Sequence, residues 1–466
     1  MRTNLLAAMI AVSLFGAATA AHADPDPRTK HSTKRHVAKK KKVAPVATET
    51  AVPAAASADH AEIEALKAQL AAMQEKLANL EERSDAQSDV NAQQAKTNED
   101  VAKSAAKTDK LEKLVNDTSV TGVIFADVSA QTIKDNGVKK AGTNGTGFDV
   151  KRGYVSISHK FNDTYSANIT TDFQYAANIS ATEVYIKKAY LQGKYSDALT
   201  VRLGSADLPW VPYAESQYGY RYVENTLADR LKAGTSADWG LHAFGNVGMF
   251  NYAVSAVNGA GYKNPGRSKG VDFEARVGVM PIEGLNIAVG GYAGKLGKEG
   301  YGATTADANA TTPTAHTAHR LDGLVSYSNS MFRIGAEAYA ANNWNRVLLG
   351  AANPPSSVGG YGLAVHNPTI PPAGVNKFVG DRARGYSVFG NVNITDKASV
   401  FARYDEADVS RWLDPKLKDK YYNFGVDYML TKGIKVAAVY KHEDLKDGLN
   451  TNAKADEFGI WTEVKF

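Results

Sequence analysis

The chain closes on Phe458-Gly459-Ile460-Trp461-Thr462-Glu463-Val464-Lys465-Phe466. Its even-numbered positions are mostly apolar and its odd-numbered ones mostly polar or charged. A period of two is that of a β-strand whose two faces meet different surroundings. The final residue, an aromatic, lies on the apolar face. Working backwards, the same texture returns in Tyr422 to Leu430, in Ile434 to Lys441, in Val271 to Val279 and in Phe332 to Ala338. Between Ser119 and Phe466 it marks sixteen runs, most of them near the length a tilted strand needs to cross a bilayer.

The connections carry a second pattern. After even-numbered runs the joins are tight: Asn162-Asp163, Ser196-Asp197, Gly248, Pro281 to Gly284, Asn329-Ser330, Asp396 and Lys432-Gly433. After odd-numbered runs they are long: 131–147, 176–183, 206–236, 259–269, 296–318, 342–383, 409–419 and 445–455. Short turns on one rim and long loops on the other characterise an outer-membrane barrel. In lipid every backbone polar group must be paired within the protein, so strands cross only as a closed cylinder. The expected fold is therefore all-β, a 16-stranded antiparallel transmembrane β-barrel over 119–466, with a coiled-coil segment before it on the periplasmic side. Tyr165, Tyr195, Tyr327, Tyr386 and Tyr440 fall near strand ends, where aromatic girdles meet headgroups.

The residues before the barrel divide into three. Residues 1–23 read as a signal peptide: Arg2, an apolar core from Leu5 to Phe15, and Ala21-His22-Ala23 at the cleavage site. Residues 24–58 are a basic disordered arm and an Ala/Pro linker. The arm, 24–42, holds eight Lys or Arg against Asp24 and Asp26. The chain's formal charge of +5 is therefore a property of this arm, and the barrel is close to neutral. That removes the hint of nucleic-acid binding and suggests peptidoglycan as a partner of the arm. Residues 59–115 form a helical segment in which Ile63, Leu66, Leu70, Met73, Leu77 and Leu80 repeat at three and four, a coiled-coil seam. Beyond it Ser84, Gln87, Asn91 and Gln94 hold the same positions with polar side chains.

There are no cysteines, which excludes disulfides, thiolate metal sites and thiol nucleophiles. The ten histidines show no ligand spacing, and no G-x-S-x-G, H-E-x-x-H or phosphate-loop motif occurs. No enzyme activity, metal or cofactor is expected. A barrel of sixteen strands is too wide for its own side chains to fill and leaves an aqueous lumen.

The third long connection, 206–236, is aromatic-rich and mixed in charge. Folded inward it would bury Trp210, Tyr213 and Tyr218 and set Arg221, Glu224, Asp229 and Arg230 in the water path as a constriction. Alternation places Arg152, Arg202, Arg276, Arg320, Arg333 and Arg403 on the lumen face, with a slight excess of cations over carboxylates there. Arg276 could pair with Glu274 or with a residue of a neighbouring strand.

These features resemble the trimeric bacterial porins. Lys151 to Phe161 (KRGYVSISHKF) and Arg202 to Gly245, with the helical prefix, are similar to the phosphate-selective porin O and P family. The resemblance implies a homotrimer in outer-membrane lipid, an inward third loop, and passage of small anionic or neutral solutes, phosphate among them. It also implies that Phe466 is the signal read by the outer-membrane assembly machinery. The alternative is a structural protein that tethers the membrane to the cell wall through its arm and coiled coil.

Overall fold

The computed structural model describes residues 56–142, 144–176, 181–268, 270–297, 317–344, 347–350, 357–358, 361–362, 376–446 and 452–466. The expected signal peptide 1–23, the arm 24–42 and the linker up to residue 55 lie outside the described residues. The chain separates into two units, Met1–Leu114 and Val115–Phe466.

The helix α1 spans Ala56–Asp117 without interruption, all but its last three residues in the first unit. Ile63, Leu66, Leu70, Met73, Leu77 and Leu80 are all exposed along one stripe. In its polar half Gln87 donates to Asn91 at 3.1 Å and Gln94 to Asn98 at 2.9 Å, so these amides satisfy one another one turn apart. Among the described residues no helix is long and apolar enough to cross a membrane, which leaves crossing by strands open.

The second unit is a barrel of sixteen strands: β1 Thr118–Asp135, β2 Gly145–Lys160, β3 Tyr165–Ala176, β4 Ala181–Ser196, β5 Leu199–Asp207, β6 Ala237–Val247, β7 Phe250–Val257, β8 Asp272–Val279, β9 Leu285–Gly294, β10 Ala318–Ser328, β11 Phe332–Asn342, β12 Arg382–Asn393, β13 Ala398–Asp408, β14 Lys418–Thr431, β15 Ile434–Lys446 and β16 Asn452–Lys465. Each pairs antiparallel with its sequence neighbours, and β1 also pairs with β16, from Val123 opposite Lys465 to Asp135 opposite Ala453. This closure removes both free edges. At the seam Gly122 N donates to Phe466 O at 2.8 Å and Phe466 N to Gly122 O at 3.1 Å. The Phe466 ring lies over Gly122, so a Cβ there would push the ring aside.

The alternation sorts side chains as a bilayer requires. Ile157, Ile169, Leu191, Leu203, Leu241, Val277, Leu321 and Val400 point out and are exposed, whereas Asp172, His242, Glu274, Arg320 and Asp405 point in and are buried. Aromatic pairs stand near both rims: Tyr165 with Tyr195 and Tyr327 with Phe332 by the short turns, Tyr386 with Tyr404 and Tyr422 with Tyr440 towards the long loops.

Loop lengths depart from expectation in three places. The connections expected at 131–147, 176–183 and 445–455 contract to 136–144, 177–180 and 447–451, because β1, β2, β4, β15 and β16 extend further than their alternation. The added turns of strand carry charge on both faces, as in Glu443, Asp444, Lys446 and Lys454. Backbone pairing continues above the hydrocarbon, where no apolar face is needed and the sequence signal fades.

Candidate functional site

The segment Leu208–Ser236, between β5 and β6, packs against the inward face of the barrel. Leu208-Pro209 leads into the helix α2, Val211–Tyr218, which has Pro212 in its first turn, where a missing N–H costs nothing. Gly219 ends it in the left-handed conformation, φ 80°, donating to Glu215 O at 3.0 Å. A single turn, α3, follows at Leu227–Arg230.

Three apolar clusters fix this segment. Trp210, Val211, Ala214 and Ala228 meet Ala288 and Leu324. Tyr218, Tyr220, Tyr222 and Val223 meet Phe125, Phe389, Phe401 and Trp461, with Tyr220 stacked on Phe401 at 4.1 Å. Leu227, Leu231 and Ala233 meet Tyr339, Leu413 and Leu417. The polar anchors are as extensive. Trp210 N donates to Glu274 at 2.9 Å, and its indole N–H donates to Glu337 at 2.9 Å.

Four of the six inward-facing arginines, with Lys151, hold this segment by its backbone carbonyls. Arg276 donates to Pro209 O at 3.0 Å, Arg333 to Tyr218 O at 3.2 Å, Arg403 to Asn225 O at 2.5 Å and Arg320 to Ala233 O at 2.6 Å. Lys151 Nζ donates to Val223 O at 3.0 Å. Five wall residues therefore complete the hydrogen bonding of a segment that has little secondary structure of its own.

The sequence reading put all six arginines in the lumen lining. They do face inward, but Arg320 and Arg403 are covered by the segment and paired. Arg320 lies 2.8 Å from Asp322 and 3.3 Å from Glu274, and Arg403 lies 2.6 Å from Asp405. Unpaired, such buried charges are costly. Arg276 does not pair with Glu274, which belongs to Arg320; it stands over the Tyr213 ring at 3.9 Å and bonds Asn251. Arg202 donates to Gln192 at 2.9 Å between the Tyr190 and Phe244 rings, on the short-turn side. Arg152 meets Asp172 at 2.8 Å.

The four residues expected in the water path divide similarly. Arg230 is nearly buried, at 9% exposure, among Asp405 at 3.1 Å, Asp419 at 2.5 Å and Glu443 at 3.0 Å. It anchors the segment to β13, β14 and β15. Arg221, paired with Glu215 at 2.5 Å and 3.6 Å from Asp229, keeps part of its surface open, as do Asp229 and Glu224.

Between the segment and strands β2 and β4 remains a cavity of about 230 Å³, whose walls include Arg152, Lys187, Arg221, Lys263, Tyr154 and Tyr262. Asp229 is the carboxylate in its lining. Two of the inward lysines in this region escaped simple alternation. A β-bulge opposite Phe125 and Ala126 turns Lys151 inward beside Arg152, and another opposite Thr170 and Thr171 turns Lys187 inward beside Lys188. The readable signal was the cation doublet itself: strict alternation would have left one member of each pair facing lipid.

Glu224 lies 3.6 Å from Lys151 and 3.4 Å from Lys441. Burial opposes its ionisation, but the two lysines outweigh burial and hold its carboxyl well below the usual carboxylate range. A depressed folded value means that ionised Glu224 supports the bound segment at neutral pH. This contribution begins to fall only below the unfolded value near pH ~4.3 and is lost as the folded value is crossed. Hence Glu224→Gln should lower thermal stability most at pH 7 and by a smaller margin at pH 3, which lies below the unfolded value but above the folded one. Melting curves at pH 7 and pH 3 check this, and an equal loss at both would remove the ion pairs as its cause.

No protein-family model matches the chain, and no curated protein matches it. Solved structures do. The anion-selective porin from Comamonas acidovorans aligns with TM-score 0.50 and 11% identity over 75% of this chain and 99% of that one. The outer membrane channel DcaP of Acinetobacter baumannii aligns with TM-score 0.50 and 13% identity over 75% of this chain and 97% of that one. At such identities the likeness is one of fold: the chain is a 16-stranded transmembrane β-barrel of the porin type.

Proposed function

We propose that this protein is an outer-membrane porin, a channel for passive diffusion of small hydrophilic solutes, with a preference for anions such as phosphate. The observation that carries the preference is the cation-rich cavity beside the inward segment. Arg152, Lys187, Arg221 and Lys263 face it; Arg152 is paired with Asp172 and Arg221 with Glu215, so among the described residues the charge left without a carboxylate in ion-pair range is that of Lys187 and Lys263, while Arg320, Arg403 and Arg230 spend theirs on carboxylates and carbonyls deeper in the wall. Cations not cancelled by close carboxylates raise the local anion concentration. In this reading the segment 208–236 is the constriction, with Arg221, Glu224 and Asp229 at the water path and Arg230 securing it.

Reversal potential in a salt gradient across a planar bilayer tests the proposal. Lys187→Glu together with Lys263→Glu exchanges two cations of the cavity for anions, and selectivity should move from anions towards cations. An unchanged potential would move this cavity off the conduction path; a purified wild type that opens no stepwise pore would end the channel reading.

The same reading makes the protein a homotrimer in outer-membrane lipid, with the exposed seam of α1 joining copies on the periplasmic side and Phe466 read by the assembly machinery. Retention of the cell wall through residues 24–42 is a separate role that a channel can carry as well. Retention of the full chain on peptidoglycan, lost when 24–42 is deleted, would support it.

A further inference from the structure

Around most of the barrel the outward face towards the long-loop rim is apolar, as at Val184, Leu203, Leu241, Phe273 and Leu321. On β12 to β16 it is charged. Directly paired across these strands run Tyr386, Glu406, Lys420, Asp444 and Lys454 in one row, and Arg384, Asp408 and Lys418 in the next. Ion pairs link Arg384 to Asp408 at 2.8 Å, Lys418 to Asp408 at 3.3 Å and Lys420 to Glu406 at 3.8 Å.

The two signs are not equally presented. Arg384, Lys418 and Lys420 are 60%, 47% and 50% exposed, while Asp408 and Glu406 are recessed at 20% and 30%, Glu406 also accepting from Tyr386 and Tyr404. What meets the surroundings is a cationic skin over a carboxylate layer. Beside it runs an open trough of about 710 Å³, with Gly323, Ala338 and Ala340 on its floor, Leu321 on one bank and Arg384 and Lys418 on the other. The floor is low because glycine and alanine stand at outward positions where neighbouring strands carry larger side chains.

We infer that this sector binds a phosphorylated, multiply acylated lipid of the outer leaflet, its phosphate on Arg384, Lys418 and Lys420 and an acyl chain in the trough. The inference rests on the outer-membrane reading above, which sets the long-loop rim towards the outer leaflet. Charge complementarity favours such a lipid over a second copy of the chain: among the described residues the outward face of the other strands is mainly apolar, as at Val184, Leu203, Leu241 and Phe273. An amphiphile supplies both the anionic head and the apolar tail that the sector accommodates.

Native mass spectrometry of the full chain in mild detergent tests this, with bisphosphorylated lipid A and the same lipid A dephosphorylated as probes. The wild type should retain the phosphorylated form at least ~10-fold more strongly. Arg384→Gln with Lys418→Gln, which adds no repulsion to the ion-pair layer, should abolish that preference. Ala338→Trp, which fills the trough, should weaken both probes. Conductance should match the wild type in both variants, since these residues face away from the lumen. Equal retention of the two probes by the wild type overturns the inference, as does a preference undiminished in Arg384→Gln/Lys418→Gln. If that double variant instead loses its oligomeric state with lipid retention intact, the sector is a contact between copies and the inference also falls. Failure of the channel reading would show separately, as no conductance from a wild type that still discriminates the lipids.

Discussion

Trp210→Ala should release the start of the inward segment and give the largest loss of stability of any single substitution in the barrel, together with a raised single-channel conductance. Trp210 is fully buried, and its ring packs over Gly290 so closely that a Cβ there would touch it. Truncating a buried tryptophan costs about 3–5 kcal/mol through lost burial and the cavity left behind. The Glu337 carboxylate loses its indole donor at 2.9 Å and stays buried with that hydrogen bond unmade, a further penalty of roughly 1–3 kcal/mol. Glu274 is less affected, because it keeps the backbone N–H of residue 210 and Arg320. Thermal unfolding and bilayer conductance on the same preparation separate the two effects. A destabilised protein of unchanged conductance would show that the segment does not narrow the path.

Arg230→Ala acts at the other end. Its guanidinium sits among Asp405, Asp419 and Glu443, and also lies over the Tyr421 ring at 4.5 Å. Removing one partner of a buried charge cluster costs about 3–5 kcal/mol, most of it the repulsion and desolvation of the carboxylates left behind. Asp405 keeps Arg403 at 2.6 Å, so the loss falls chiefly on the Asp419 and Glu443 side. We expect a lowered melting temperature and a higher, noisier conductance. The double variant Arg230→Ala/Asp419→Asn should recover part of the stability, because it removes charge from the group left unpaired. No recovery would place the cost in the cation–ring contact instead of in the carboxylates.

Arg221 and Arg230 lie nine positions apart, both basic and both in one aromatic-rich segment, and nothing in the sequence distinguishes them. The structure does: Arg221 lines the cavity and pairs within the segment with Glu215, whereas Arg230 reaches three carboxylates of the wall. A reversal of charge at both positions, natural from sequence, would therefore mix an effect on selectivity with the collapse of an anchor. Lys187→Glu/Lys263→Glu keeps the two apart, since neither lysine is ion-paired among the described residues.

The barrel itself was legible residue by residue. Alternation is a local property: each strand's faces are set by lipid on one side and polar surroundings on the other, and every second residue repeats the message. The sixteen runs, the tight turns at Gly248 or Lys432-Gly433, and closure at Phe466 all follow from it. The heptad seam of α1 was readable for the same reason, since 3.5-residue spacing is local too.

What tertiary structure alone decided is which inward charge has a partner. Arg320 is satisfied by Asp322 two residues away but also by Ala233 O, 87 residues distant in sequence, and Arg403 by Asn225 O, 178 distant. Such pairings depend on how a connecting segment folds across a sheet that the whole chain must first close. Bulges add a second non-local term, since a one-residue slip at Lys151 or Lys187 is fixed by register with the neighbouring strand. Sequence by itself determined a closed, sixteen-stranded membrane barrel with a helical prefix. Only the folded chain decided that most of its lumen arginines hold the inward segment in place, leaving a small group of cations beside Arg221 to face a cavity, because electrostatic pairing is set by distance in space and not by distance along the chain.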